Sequence, residues 1–250
     1  MPDKRESLNY YQKASMYDAL ANYYKYLDAN LHVTCYHKHL HYLRKAQQAT
    51  RTQSVSSTLP AMVRFLHASP TTENVDVHIN AQLVASNVPF KQVGSYLFLP
   101  AGKYHIDIYP TGNLVSTIIT KKITVEAGNV YTFAVIGTEN KLQLLPFQEQ
   151  PGVPSGETKL RFIHLSPDTQ NVDIGVNKGD VIFSNVPYKK PTSYLGLSPM
   201  TVNLEVREAS TKNILLSVPN VKVKPNRIYT LVALGLREGE PAFETILIKG

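Results

Sequence analysis

The sequence predicts a mostly β protein, an N-terminal α-helical hairpin followed by two tandem antiparallel β-sandwiches. Three observations predict it. Residues 1–49 contain no Gly, and no Pro after Pro2, and are dense in Tyr, Leu, Ala, Lys and His, which is helical texture. From residue 61 onward the chain turns to short alternating runs of Val, Ile, Thr, Tyr and Phe punctuated by Pro, Gly and Asn, which is strand texture. Within that second region the sequence repeats itself once, at a spacing of about 100 residues, which means two similar domains rather than a solenoid of short units.

The helical segment, residues 1–49, divides in two. Tyr10, Tyr17, Tyr24 and Leu31 are spaced by seven, and Leu20 and Leu27 follow Tyr17 and Tyr24 by three. That is a stripe along one face of a helix near residues 5–27. Asp28-Ala29-Asn30 offers a turn and an N-cap for a second helix to about residue 48, with Tyr36, Leu40 and Leu43 on one face. One continuous helix is the alternative. The stripe reads as packing, within the hairpin or against another copy of the chain. A polar Ser/Thr-rich linker, residues 50–60, follows.

The repeats span residues 61–148 and 158–250, joined by a Pro/Gly linker at 149–157. Arg64-Phe65-Leu66-His67-Ala68-Ser69-Pro70 returns as Arg161-Phe162-Ile163-His164-Leu165-Ser166-Pro167. Asn74-Val75-Asp76-Val77 returns as Asn171-Val172-Asp173-Ile174, and Ser86-Asn87-Val88-Pro89-Phe90 as Ser184-Asn185-Val186-Pro187-Tyr188. Ser95-Tyr96-Leu97 matches Ser193-Tyr194-Leu195, and Gly137 matches Gly235. The offset is 97 at first and 98 later, the extra residue falling at a hairpin tip near Lys178-Gly179-Asp180. In the first copy, strands are expected near 62–68, 74–79, 82–87, 94–99, 103–109, 114–125, 130–137 and 142–147. Such spacing indicates a sandwich. Val75, Val77 and Ile79 alternate with Asp76, His78 and Asn80, as a half-buried strand requires.

Taken together, these motifs resemble the DUF4397 family, a bacterial family of unknown function. The resemblance covers both repeats and leaves residues 1–60 outside it. It implies immunoglobulin-like β-sandwiches, often found on cell-surface proteins, and no established reaction. No export signal or wall anchor of the usual kind is expected from this sequence, which sets it apart from that surface setting.

The repeated polar residues have bland and sharp readings. His67 and His164 share a strand face with Phe65 and Phe162, so each is expected to be buried and to hydrogen-bond the backbone at the corner before Ser-Pro. The sharp alternative is a catalytic set of His67, Ser69 and Asp76, repeated as His164, Ser166 and Asp173. No nucleophile elbow or oxyanion-hole signal accompanies it. Arg64 and Asp76, like Arg161 and Asp173, are expected to form a cross-strand pair, with Asp107 and Glu205 as competing acids. Asn87-Val88-Pro89 and Asn185-Val186-Pro187 read as strand ends. His32, Cys35 and His39 fall on one helix face and are weak metal candidates. Their seven-residue span exceeds ten ångströms at about 1.5 Å per residue, too long for one ion. No metal or cofactor is assigned.

Composition bounds the function. The net charge is +7, with 26 Lys and Arg against 19 Asp and Glu. The charge is dispersed, no basic run exceeding two residues, as in Lys121-Lys122 and Lys189-Lys190, so no nucleic-acid platform is expected. No apolar run of about 18 residues exists, so no membrane-spanning helix is expected. The polar start, Met1 to Ser7, leads into no apolar segment, so no secretory signal is expected and the compartment stays open. The single Cys35 rules out an internal disulfide framework. The favoured reading is a non-enzymatic structural or adhesive protein of a bacterial cell or spore surface layer. It would self-associate or dock protein partners through Tyr10, Tyr17, Leu20, Tyr24 and Leu27 of residues 1–49. The alternative is a glycan- or small-molecule-binding sandwich protein using Tyr96 and Tyr194 or nearby loops.

Overall fold

The computed structural model describes residues 4–56 and 59–250, with side chains described for 9–46, 59–139 and 141–250. The chain divides into two compact units, Met1–Pro60 and Ala61–Gly250. The first holds α1 (Lys4–Tyr24) and α2 (Ala29–Ser56), packed side by side as a hairpin. α1 stops before the expected residue 27 because the Tyr24 carbonyl accepts the N–H of both Leu27 and Asp28. Asp28 then caps α2, its Oδ1 accepting the N–H of Asn30 at 2.9 Å and of Leu31 at 3.1 Å. α2 runs on to Ser56, into the stretch read as linker, where no Pro or Gly interrupts it before Pro60.

The second unit is built of two eight-stranded halves. The first has β1 (Ala61–His67), β2 (Val75–Ile79), β3 (Gln82–Val88), β4 (Leu97–Leu99), β5 (Gly102–Pro110), β6 (Ile119–Val125), β7 (Val130–Ile136) and β8 (Gln143–Glu149). The second has β9 (Thr158–His164), β10 (Val172–Val176), β11 (Val181–Val186), β12 (Leu195–Leu197), β13 (Met200–Glu208), β14 (Ile214–Val223), β15 (Arg227–Leu234) and β16 (Glu244–Lys249). Each half forms two four-stranded sheets: β3-β2-β5-β6 with β4-β1-β7-β8, and β11-β10-β13-β14 with β12-β9-β15-β16. The pairing is antiparallel except for β1 with β7 and β9 with β15, which are parallel. Alternation in a sequence reports which face a residue takes, not the direction of its partner strand, so these parallel pairs were not legible.

Three apolar layers separate the four sheets. Val63, Phe65, Val77, Ile106 and Phe133 fill the first sandwich. Phe162, Ile174, Leu204, Val206 and Leu231 fill the second. The third layer lies between the sandwiches. Leu66, Ala68, Ala134, Ile136 and Phe147 of the first meet Ile163, Leu165, Val232, Leu234 and Ile248 of the second. By strand register these are the same positions of the duplicated motif. Small Ala68 and Ala134 stand where the second copy has Leu165 and Val232, so the two faces fill space together. The β4-β1-β7-β8 sheet is therefore covered on both faces, which is why every residue of β7 is buried.

Candidate functional site

The repeated arginines sit at this junction. Arg64, on β1, points away from Phe65 and toward the second sandwich. Its Nε donates to Thr132 Oγ1 at 2.9 Å, its Nη2 to Glu149 Oε1 at 2.8 Å, and its Nη1 to the Lys249 carbonyl at 2.8 Å. Thr132 in turn donates to Glu149 Oε1 at 2.5 Å. Arg161, its counterpart on β9, donates from Nε to Thr230 at 3.1 Å and from Nη1 to the Gln148 carbonyl at 2.7 Å. Each arginine thus reaches across to the last strand of the other repeat. Each is also covered by its motif tyrosine: Arg64 Cζ lies 4.4 Å from the Tyr96 ring centroid and Arg161 Cζ 4.7 Å from that of Tyr194.

The two halves of this clamp are not equivalent. Tyr96 donates its hydroxyl to Glu149 Oε2 at 2.9 Å, whereas the Tyr194 hydroxyl lies beside Thr230 and the Gln150 backbone instead of bonding a carboxylate. By register, Gly250 stands in the second copy where Glu149 stands in the first, so Arg161 has no carboxylate of its own. Burial lowers the pKa of the Arg161 guanidinium, with the charges of Tyr194 and Glu149 opposing. Burial raises the Tyr96 hydroxyl, and Glu149 beside it adds to the shift. A cavity of about 10 Å³, room for one water, lies against both arginines.

The expected Arg–Asp pairs are therefore corrected. Arg64 and Asp76 lie in different sheets of one sandwich, with the apolar layer between them. Asp76 is bound to the Asn87 N–H at 2.7 Å, Thr111 Oγ1 at 3.1 Å and the Gly112 N–H at 3.3 Å. Asp173 binds the Asn185 N–H at 2.7 Å and Lys212 Nζ at 2.7 Å. Asn87 and Asn185 each have positive φ, +52° and +51°, at a bulge of β3 or β11, where Asn is the best-tolerated residue with a side chain. Asn74 and Asn171 bind their side chains at 2.8 and 2.9 Å. The Asn-Val-Asp and Ser-Asn-Val-Pro motifs are two sides of one strained bulge. Of the competing acids, Glu205 pairs with Arg207 at 2.9 Å, and Asp107 takes Thr120 at 2.7 Å.

His67 and His164 close the strand corners. His67 Nε2 donates to the Glu73 carbonyl at 3.0 Å, while its Nδ1 accepts the Ser69 N–H at 3.4 Å. His164 Nε2 donates to the Thr169 and Gln170 carbonyls at 3.2 and 3.1 Å. Burial lowers both imidazole pKa values, against the pull of these carbonyls. The Ser69 hydroxyl donates to the Gly137 carbonyl at 2.8 Å and shares a 2.6 Å bond with Thr72. Ser166 binds Asp168 at 3.0 Å and Thr169 at 2.7 Å. His, Ser and Asp of each motif are spent on separate local contacts and are not brought together as a relay. Gly137 and Gly235, at φ +101° and +86°, complete the corner: a Cβ there would collide with the Lys141 or Ala242 carbonyl.

In the hairpin, Tyr17 stacks on Tyr42 at 5.5 Å and Tyr10 lies 6.4 Å from the same ring, so part of the stripe is used internally. Leu20 and Tyr24 are half-buried, and Leu27 is exposed in the turn. Tyr36, expected on the packed face, is exposed and lies between His32 and His39. His32 and His39 hydrogen-bond through Nδ1 to the Ala21 and Ala14 carbonyls of α1, at 2.8 and 3.0 Å, and Cys35 is buried. Among the described residues no three His, Cys, Asp or Glu side chains converge to hold a metal ion, and no helix is long and apolar enough to cross a membrane.

Fold and motifs define a protein of two fused β-sandwich repeats. The model of one family, described as a domain of unknown function (DUF4397), matches residues 61–175 and 164–249. The chain belongs to the DUF4397 family. No curated protein matches it. Among solved structures it is similar to the C-terminal domain of AlgF from P. aeruginosa, at 16% identity and a TM-score of 0.30, over 38% of this chain and 99% of that one. It is similar to the TIE protein of Bacillus anthracis at 12% identity and a TM-score of 0.24, over 71% of this chain, and spans only 34% of that one. A proposed cell adhesion protein from Bacteroides ovatus matches at 13% identity and a TM-score of 0.24, over 76% of this chain and 95% of that one. Likenesses of this size carry no functional argument.

Proposed function

We propose that the protein is a non-enzymatic structural or adhesive component of a bacterial cell or spore surface layer. Its paired sandwiches supply a stiff body and its Tyr-rich hairpin supplies self-association or docking. The observation that carries this reading is the crossed Arg64–Lys249 and Arg161–Gln148 contact over a shared apolar layer. It spends the repeat's most distinctive residues on fusing two domains into one body. The repeated His, Ser and Asp are likewise committed to holding backbone. On the hairpin, Tyr11, Met16, Tyr23, Leu27 and Val33 remain exposed, apolar surface available to a partner or a second copy.

The test has two arms. The untagged protein is located by mass spectrometry across cytosol, membrane, wall, medium and, in a sporulating host, purified spores. The mass of the full chain and of a chain lacking residues 1–58 is then measured by light scattering. Enrichment in an insoluble layer, and an oligomer that falls to monomer on deletion, support the reading. A freely soluble pool and an unchanged monomer contradict it.

A further inference from the structure

The two sides of the repeat junction are related by the duplication, so each serves as a control for the other. On one side an open groove of about 390 Å³ runs along β16 beside Lys91 and Val93. On the other, a groove of about 600 Å³ runs along β8 beside Tyr188, Lys189 and Lys190. Lys91 and Lys189 share a φ of +70°, so the two loops turn alike at this point. Their side chains do not match.

Three differences all act in one direction. Gln92 is replaced by Lys190, which adds a positive charge. Glu244, which holds Lys91 Nζ at 2.9 Å, is replaced by Gln143, so Lys189 Nζ rests on a neutral amide at 3.0 Å. Phe90 is replaced by Tyr188, which adds a hydroxyl. Both rings pack on the same apolar layer, so packing does not need that oxygen. The Tyr188 hydroxyl is buried with no hydrogen-bond partner among the described residues, an omission that calls for a reason. Burial pushes its pKa up to about 12, which keeps it a donor at neutral pH. Lys189 Nζ lies 4.9 Å from the Tyr188 ring centroid, so the charge and the ring stand side by side along the groove.

The floor of the groove excludes an added strand. The Leu144 carbonyl on the outer edge of β8 is taken by Lys121 at 2.8 Å, the Gln148 carbonyl is taken by Arg161, and Pro146 between them has no N–H. Recognition here works through side-chain charge. Lys189 rests on a neutral amide where Lys91 has a carboxylate, so the groove keeps a positive charge that favours an acidic partner.

We propose that the groove of Tyr188, Lys189 and Lys190 binds a carboxylate, borne by an acidic polypeptide or by a free small molecule, with the two lysines as counter-charges and the Tyr188 hydroxyl as donor. This names a ligand class for the interaction reading above and rests on it. The full chain is titrated into fluorescein-labelled poly-L-glutamate, read by anisotropy, with unlabelled glutarate as competitor. Binding should weaken as salt rises. A K189Q/K190Q variant should lose about tenfold in affinity, Y188F a few-fold, and K91Q less than about twofold, each melting within a few degrees of the parent. Polymer binding that glutarate does not displace assigns the polypeptide source. Displacement by glutarate at matched carboxylate concentration assigns the small molecule. An equal loss in K91Q, or no binding at all, overturns the proposal. Failure here with the protein still held in an insoluble layer removes the groove and leaves the structural reading standing.

Discussion

Arg64 in the first strand of the first repeat donates a 2.8 Å hydrogen bond to the carbonyl of Lys249 in the last strand of the second. Arg161 returns the contact to Gln148. The residue that opens the repeated motif is a fastener between repeats, and Glu149 is the only carboxylate that meets the Arg64 guanidinium among the described residues.

That imbalance makes Glu149 the sensitive member. Its removal leaves the Arg64 charge buried without a counter-charge, so Glu149→Ala should cost about 3–5 kcal/mol. A paired R64M/E149L replacement should recover most of that loss, since apolar residues of similar volume replace buried ion pairs well. Arg161→Met should cost less than Glu149→Ala, because Arg161 has no carboxylate of its own to strand. Urea denaturation of the four proteins gives the order.

Stability should fall with acid in two separate windows. His67 and His164 have folded pKa values below their unfolded value of about 6.5. The unfolded chain therefore takes up their protons first, and stability declines as pH falls below about 6.5 until the folded pKa is passed. Burial would raise the Asp76 carboxyl, but hydrogen bonds from Asn87, Gly112 and Thr111 outweigh it and hold it low. Lys212 and Asn185 do the same for Asp173. Their stabilisation is full above the unfolded pKa and is lost as pH falls below about 3.9. A H67Q/H164Q variant should flatten the upper window alone in melts taken from pH 7.5 to 3.

The bulge residue should discriminate between substitutions. At φ +52°, Asn87→Ala loses both a tolerated left-handed residue and the bond to Asn74, at a cost of about 1–2 kcal/mol. Asn87→Gly keeps the conformation and should cost less than half as much. Thermal denaturation of the two variants decides it.

The helices approach closely at Ala14 and Ala21, each 2% exposed, where His39 and His32 reach the backbone of α1. Ala21→Leu should overpack this seam by about 1–3 kcal/mol. Hydrogen exchange should quicken in α1 and α2 and stay unchanged in residues 61–250.

Much of this was legible beforehand. The duplication and its turn residues place the strands within a few positions, and Asp28 marks the start of α2. The junction was not legible. Alternation in Val75–Ile79 reveals one buried face, but Val130–Ile136 is buried on both, and a continuous apolar run does not say what covers the second face. Arg64 points into that second face, so a reading confined to one sandwich gave it a neighbour, Asp76, that lies across the core. The clue was available in the run itself, since a strand apolar on both sides needs two partners. Asn87-Val88-Pro89 does end β3, at Val88, but the bulge at Asn87 was not legible, because a positive φ leaves little mark on a sequence when the residue is not Gly.

If the duplicated motif fuses the repeats into one body, the two repeats unfold together, and each can be followed under its own probe. The chain has no tryptophan, so Tyr131→Trp and Tyr229→Trp variants report the two sandwiches separately. Coincident urea transitions are expected in the parent background, and separated transitions once R64A and R161A are added. Separate transitions in the parent background, or coincident ones that survive the double substitution, would contradict it.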